Sequence, residues 1–78
     1  MKKKLIKIFA DALKISEKEV TDNTSFKNTK HWDSLAMVMM VTAVENEFGI
    51  KLNFEDLQKF VSFKAVYDLL KEKGACNE

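Results

Sequence analysis

The 78-residue chain has no proline, only two glycines and a single cysteine. Without proline, nothing forces a kink inside a helix, so helices must end through capping and through Gly49 and Gly74. One cysteine, Cys76, excludes an intrachain disulfide and a cysteine-rich metal site, and it suits a reducing compartment. Cys76 stands near the end of the chain and reads as a tail thiol. Long apolar runs are missing too. The apolar stretch from Leu5 is interrupted by Lys7, Asp11 and Lys14, so Lys2–Lys4 do not open a signal peptide, and no segment is apolar enough to span a bilayer. From this we expect a cytoplasmic protein with no membrane insertion. A net charge of +1 supplies no overall drive toward nucleic acid.

What remains is a balanced chain, 46% hydrophobic and 32% charged, which is the composition of a folded domain rather than a disordered one. We expect residues 1–78 to form one small monomeric domain. Its core is limited, and a deep catalytic cavity would consume much of it. Size therefore favours a module that presents something to larger partners over an enzyme. Charge is unevenly spread. Five lysines (Lys2, Lys3, Lys4, Lys7, Lys14) against Asp11 leave the first fourteen residues at +4. Between His31 and Gln58, five carboxylates against Lys51 leave −4.

Apolar periodicity predicts four helices. Leu5, Ile8, Phe9, Ala12 and Leu13 recur at steps of three and four and predict a first helix over about Lys2 to Ile15. From Ser16 to Trp32 the periodicity fails, and Thr21, Asp22, Asn23, Thr24, Ser25 and Asn28 favour turns. Such a long loop needs anchors, and Val20 and Phe26 are the candidates. A second helix is expected from Asp33 or Ser34 to Gly49, with Met37, Met40, Val41, Val44 and Phe48 as its core face. A short third helix is capped by Asn53, with Glu55 and Asp56 in its first turn. Ser62 caps a fourth, which carries Val66, Leu69 and Leu70 and closes at Gly74. The fold class is all-α: a small bundle of three longer helices and one short third helix, with a long loop between the first two. Phe9, Val44, Phe48 and Leu69 should be buried together.

At Trp32-Asp33-Ser34-Leu35 the second helix begins. Asp33-Ser34-Leu35 at a helix start, after a long loop, resembles the attachment motif of the acyl carrier and peptidyl carrier protein family. Glu45-Asn46-Glu47-Phe48-Gly49-Ile50 is similar to that family's acidic helix end and turn, and the order of helices matches along essentially the whole chain. The resemblance implies a carrier without catalytic residues. Ser34 would receive 4′-phosphopantetheine from coenzyme A through a magnesium-dependent phosphopantetheinyl transferase, with Asp33 and Leu35 completing the motif. The arm's thiol would hold acyl or aminoacyl groups as thioesters. An acyl- or aminoacyl-loading ligase, synthase or transferase would then be the partner. Independently of the resemblance, a phosphodiester on Ser34 would sit at a helix N-terminus, where N–H groups and the dipole favour negative charge.

The residue types around Ser34 invite two other readings. His31, Asp33 and Ser34 are the types of a hydrolytic triad, but near-adjacent residues at a loop–helix junction do not supply the relayed geometry and enclosed site that chemistry needs. His31 reads as a surface residue. Trp32 either pins the loop or offers an aromatic surface to the arm or a partner.

Carriers of fatty acid synthesis are strongly acidic along the start of the second helix, where this chain has Ala36 and Met39. Leu35, Val38, Met39, Thr42 and Asn46 form an uncharged stripe, suited to burial against a partner. The alternative is that Val38 and Met39 pack under the long loop. The stripe points to a specialised pathway, such as polyketide or nonribosomal peptide biosynthesis or aminoacyl transfer, over fatty acid biosynthesis. A second function class stays open beside the carrier: an unmodified helical interaction module using this stripe.

Overall fold

A computed structural model describes residues 2–74; Cys76 lies outside them. Helix α1 runs Lys2–Leu13, α2 Ser34–Phe48, α3 Phe54–Leu57 and α4 Phe63–Glu72. The helices pack around one apolar cluster. Leu5, Phe9 and Leu13 of α1, Met40 and Val44 of α2, and Phe63, Val66, Leu69 and Leu70 of α4 are almost wholly withdrawn from solvent. Phe9 is the hub, with its ring edge-on to Trp32 at 5.4 Å and to Phe63 at 5.1 Å. No helix among the described residues is long and apolar enough to cross a membrane.

Helix α1 stops two residues earlier than its periodicity predicts. Lys14 takes a left-handed conformation (φ 60°) and the Ile15 N–H donates to the Ala10 carbonyl at 3.1 Å, which closes the helix in a Schellman turn. A lysine holds the place where glycine is usual, so composition hides the stop. Ile15 then folds back onto the core.

The long loop is internally bonded and contains one 3-10 turn, Glu17–Glu19, where the Glu19 carboxylate accepts from the Ser16 N–H at 2.9 Å. Thr24 Oγ1 accepts from the Thr21 N–H, and Asn28 Oδ1 from the Ser25 N–H, both at 2.9 Å. These are the local bonds that make Thr and Asn prefer turns. Val20 anchors the loop as expected, buried in the core, and Trp32 is a second anchor. Phe26 is not an anchor, since its side chain is half exposed. The loop is held at that point by its backbone. The Phe26 N–H donates to the Val61 carbonyl at 3.2 Å, and the Phe63 N–H donates to the Thr24 carbonyl at 2.8 Å. Main-chain bonding frees the ring to face outward.

Helix α2 is capped at both ends as its sequence predicts, by Asp33 and by Gly49 in the left-handed region (φ 65°). Its buried face is narrower than predicted. Met40 and Val44 are fully buried, whereas Met37, Val41 and Phe48 are half-buried. Met37 and Val41 flank α3, which is one turn long and covers them incompletely. Phe48 occupies the last turn of α2, beside its cap, and so joins the shared burial of Phe9, Val44 and Leu69 only in part. Ala36, a position where a carboxylate was expected in the acidic carriers, is buried in the core.

Candidate functional site

Ser34 is the first residue of α2, exposed to solvent. Asp33 places it there. The Asp33 Oδ1 accepts the Ala36 N–H at 2.9 Å, and the Asp33 carbonyl accepts the Met37 N–H at 2.9 Å. A helix start leaves four N–H groups without partners inside the helix. Asp33 takes that of Ala36, while those of Ser34 and Leu35 face the open end, where the dipole favours an anion. The Ser34 hydroxyl is accessible and stands beside free amide donors, so the site fits a phosphodiester. Asp33 holds the helix start through one carboxylate oxygen, and its side chain is exposed.

His31 is exposed, and no hydrogen bond joins its imidazole to Ser34 or Asp33. It lines a cleft of about 250 Å³ with Lys14, Leu35 and Met39, on one side of Ser34. The relay of a hydrolytic triad is not assembled. Among the described residues, no group of three or more His, Cys, Asp or Glu side chains is placed to hold a metal ion.

Two apolar grooves open on the other side of Ser34. One, about 550 Å³, is lined by Phe26, Trp32, Phe54, Leu57, Phe60 and Val61. The other, about 320 Å³, lies between Met37, Val38, Val41 and Leu57. Ser34, Met37 and Leu57 border both. Trp32 packs against Phe9, which makes it a pin for the loop, and it also borders the larger groove.

The uncharged stripe of α2 faces solvent. Leu35 is 70% exposed, Val38 61% and Met39 49%, and Thr42 and Asn46 are also exposed. These exposures exclude packing of Val38 and Met39 under the loop. The acids at the end of α2 are engaged within the chain: Glu45 Oε2 accepts from the Leu52 N–H at 2.8 Å, and Glu47 pairs with Lys4 at 3.5 Å.

Periodicity did not reveal α3 as part of the site. There the usual order is inverted, because Asp56 is buried and Phe54 is 74% exposed. Asp56 Oδ2 receives the Lys73 Nζ at 2.8 Å and the Asn53 N–H at 3.1 Å. The Lys73 hydrogen bond first, and then that of Asn53, hold its carboxyl below the ordinary value of 3.8. The available signal was an aromatic residue at the first position of a helix too short to bury it.

Residues 3–70 match the family model described as phosphopantetheine attachment site. The chain belongs to the acyl carrier protein family. It is 37% identical over 70 residues to an acyl carrier protein of Petrotoga mobilis, covering 90% of this chain and 82% of that protein. An acyl carrier protein of Nitratidesulfovibrio vulgaris is 33% identical over 73 residues, covering 94% and 96%. One from Buchnera aphidicola is 29% identical over 72 residues, covering 92% of each chain. Membership makes this acyl carrier a non-catalytic protein with a covalently attached 4′-phosphopantetheine. That displaces the readings as an unmodified interaction module and as a hydrolase.

Proposed function

We propose that Ser34 is the attachment residue and that this carrier serves a specialised biosynthetic pathway. Support for the residue comes from its position: an accessible hydroxyl on the first residue of a capped helix, beside unpaired amides. In the attachment step, the Ser34 oxygen attacks the pantetheine-bearing phosphorus of coenzyme A. An oxygen–phosphorus ester forms as the phosphoanhydride breaks. Adenosine 3′,5′-bisphosphate leaves, and the serine proton passes to a base on the transferase. When bound, the group supplies a thiol on which acyl cargo is held as a thioester. The chain's own part is to present Ser34 at a fixed helix start, to offer the Ser34 and Leu35 amides to the phosphodiester, and to expose Leu35 beside it.

The pathway reading rests on the stripe of Leu35, Val38, Met39, Thr42 and Asn46. It is exposed and uncharged, and so suited to burial against a loading ligase, synthase or transferase rather than to steering by a basic enzyme. Incubation with coenzyme A, magnesium and a broad-specificity phosphopantetheinyl transferase should add one phosphopantetheine by intact mass. Ser34→Ala should gain none while keeping its helical circular dichroism. Modification of the Ala variant would move the site elsewhere.

A further inference from the structure

The cleft of about 250 Å³ between the end of α1 and the start of α2 is lined by Asp33 and Leu35, the two chain neighbours of Ser34, and by Lys14 and His31. The last two side chains have no task in the fold. Neither the Lys14 ammonium nor the His31 imidazole joins an ion pair or a hydrogen bond among the described residues. Lys2, Lys4, Lys59, Lys64 and Lys73, by contrast, each meet a carboxylate.

We propose, resting on Ser34 as the attachment residue, that Lys14 and His31 are positioning residues for the arm. They hold its phosphodiester on the α1 side of the helix start and so fix the root of the arm.

Three observations carry this. The first is a need for positive charge. Attachment converts a neutral hydroxyl into a phosphodiester anion next to the exposed Asp33 carboxylate, and like charges so close repel. The Ser34 and Leu35 amides offset part of that repulsion. Lys14 is the one ammonium in the cleft that Asp33 lines, and His31 offers an imidazole N–H beside it. The second is the backbone of Lys14. It stands in the left-handed region (φ 60°), where glycine would cost less. A side chain held at a backbone position that disfavours it points to a use for the side chain. The third is that both residues are placed in advance. Ile15, which follows Lys14, packs on the core, and Trp32, which follows His31, is buried against Phe9. The Asp33 N–H donates to the His31 carbonyl at 3.0 Å. Fixed main chain under free polar side chains lowers the ordering cost of closing on an anion.

The test compares wild type, Lys14→Gly and Lys14→Arg, each before and after loading with coenzyme A, magnesium and a broad-specificity phosphopantetheinyl transferase, with loading confirmed by intact mass. In the wild type, attachment should move the side-chain resonances of Lys14 and His31 together with the Ser34 and Leu35 amides. It should also raise Tm by about 1–5 °C at low salt, and by less at high salt. Lys14→Gly should melt above the wild type when unloaded, yet its gain on loading should fall by at least half. Lys14→Arg should keep the gain. Each variant is compared with itself, so its effect on the unloaded fold cancels. Full loading with the Lys14 and His31 resonances unmoved, an equal gain in Lys14→Gly, or a loss that Lys14→Arg shares overturns the clamp and leaves the attachment site standing. Absence of mass gain overturns both.

Discussion

The two sides of this molecule obey opposite rules. Where α1 meets α4, apolar residues point inward and lysines outward, so Phe9, Leu13, Val66 and Leu69 are buried while Lys3 and Lys7 are exposed. Around Ser34, Phe54 and Leu35 face water while the Asp56 carboxylate is buried. The first side is shaped by the need to fold. On the second, folding alone does not account for the exposed apolar side chains. The ordinary sorting of side chains is thus reversed on the side that carries the proposed attachment residue.

The sharpest way to break that comparison is to truncate one phenylalanine on each side. Phe9→Ala should cost on the order of 3–5 kcal/mol and largely unfold a domain of marginal stability. Phe54→Ala should shift stability by no more than about 0.5 kcal/mol. Denaturant unfolding of both variants measures the contrast, and similar losses would erase it. Phe48→Ala should fall between them, because its ring is only half-buried.

Met39→Glu tests whether the exposed stripe is a contact surface. Its folding stability should move by less than about 0.5 kcal/mol, because the side chain is exposed. Affinity for the cognate loading enzyme should fall roughly tenfold or more, since a carboxylate would be buried there unpaired. Unchanged affinity at low and high salt would remove Met39 from the interface.

Asp56→Asn probes the buried acid. The folded-state pKa of Asp56 is lowered, so its contribution is complete above the ordinary carboxylate range and is lost as pH falls through the lower folded value. The variant should melt below the wild type at pH 7, and the gap should close in acid. A gap that widens on acidification would contradict the assignment. A gain of stability, rather than a loss, is expected at Lys14→Gly. Relief of a left-handed lysine, offset by the added freedom of the unfolded chain, should stabilise by about 0.5–1 kcal/mol in thermal or denaturant melts.

Much of this was legible beforehand because capping is local. Asp33, Asn53 and Ser62 each accept a backbone N–H at the helix start they were assigned, and Gly49 adopts the left-handed turn. The order of helices and the position of Ser34 follow from such residues. What escaped depends on contacts distant in the chain. The outward turn of Phe26 requires the Val61 carbonyl, the burial of Asp56 requires Lys73, and the half-burial of Met37 follows from the shortness of α3. Periodicity places a residue on a face but does not say whether a neighbour arrives to cover it. Lys14 is a different case, since left-handed lysine has no compositional signature.

The main-chain clamp between the long loop and the α3–α4 junction also bears on the order of assembly. It joins residues from opposite halves of the chain, through Phe26 to Val61 and Phe63 to Thr24. Closing so large a loop costs entropy before any contact rewards it, whereas α1 and α4 gain local hydrogen bonds at once. We therefore expect the clamp to form after the transition state for folding, with φ-values near zero for loop substitutions and higher ones in α1 and α4. In native protein, the amides of Phe26 and Phe63 should then exchange with deuterium through local openings, ahead of the helical core, so that the surface beside Ser34 loosens without global unfolding.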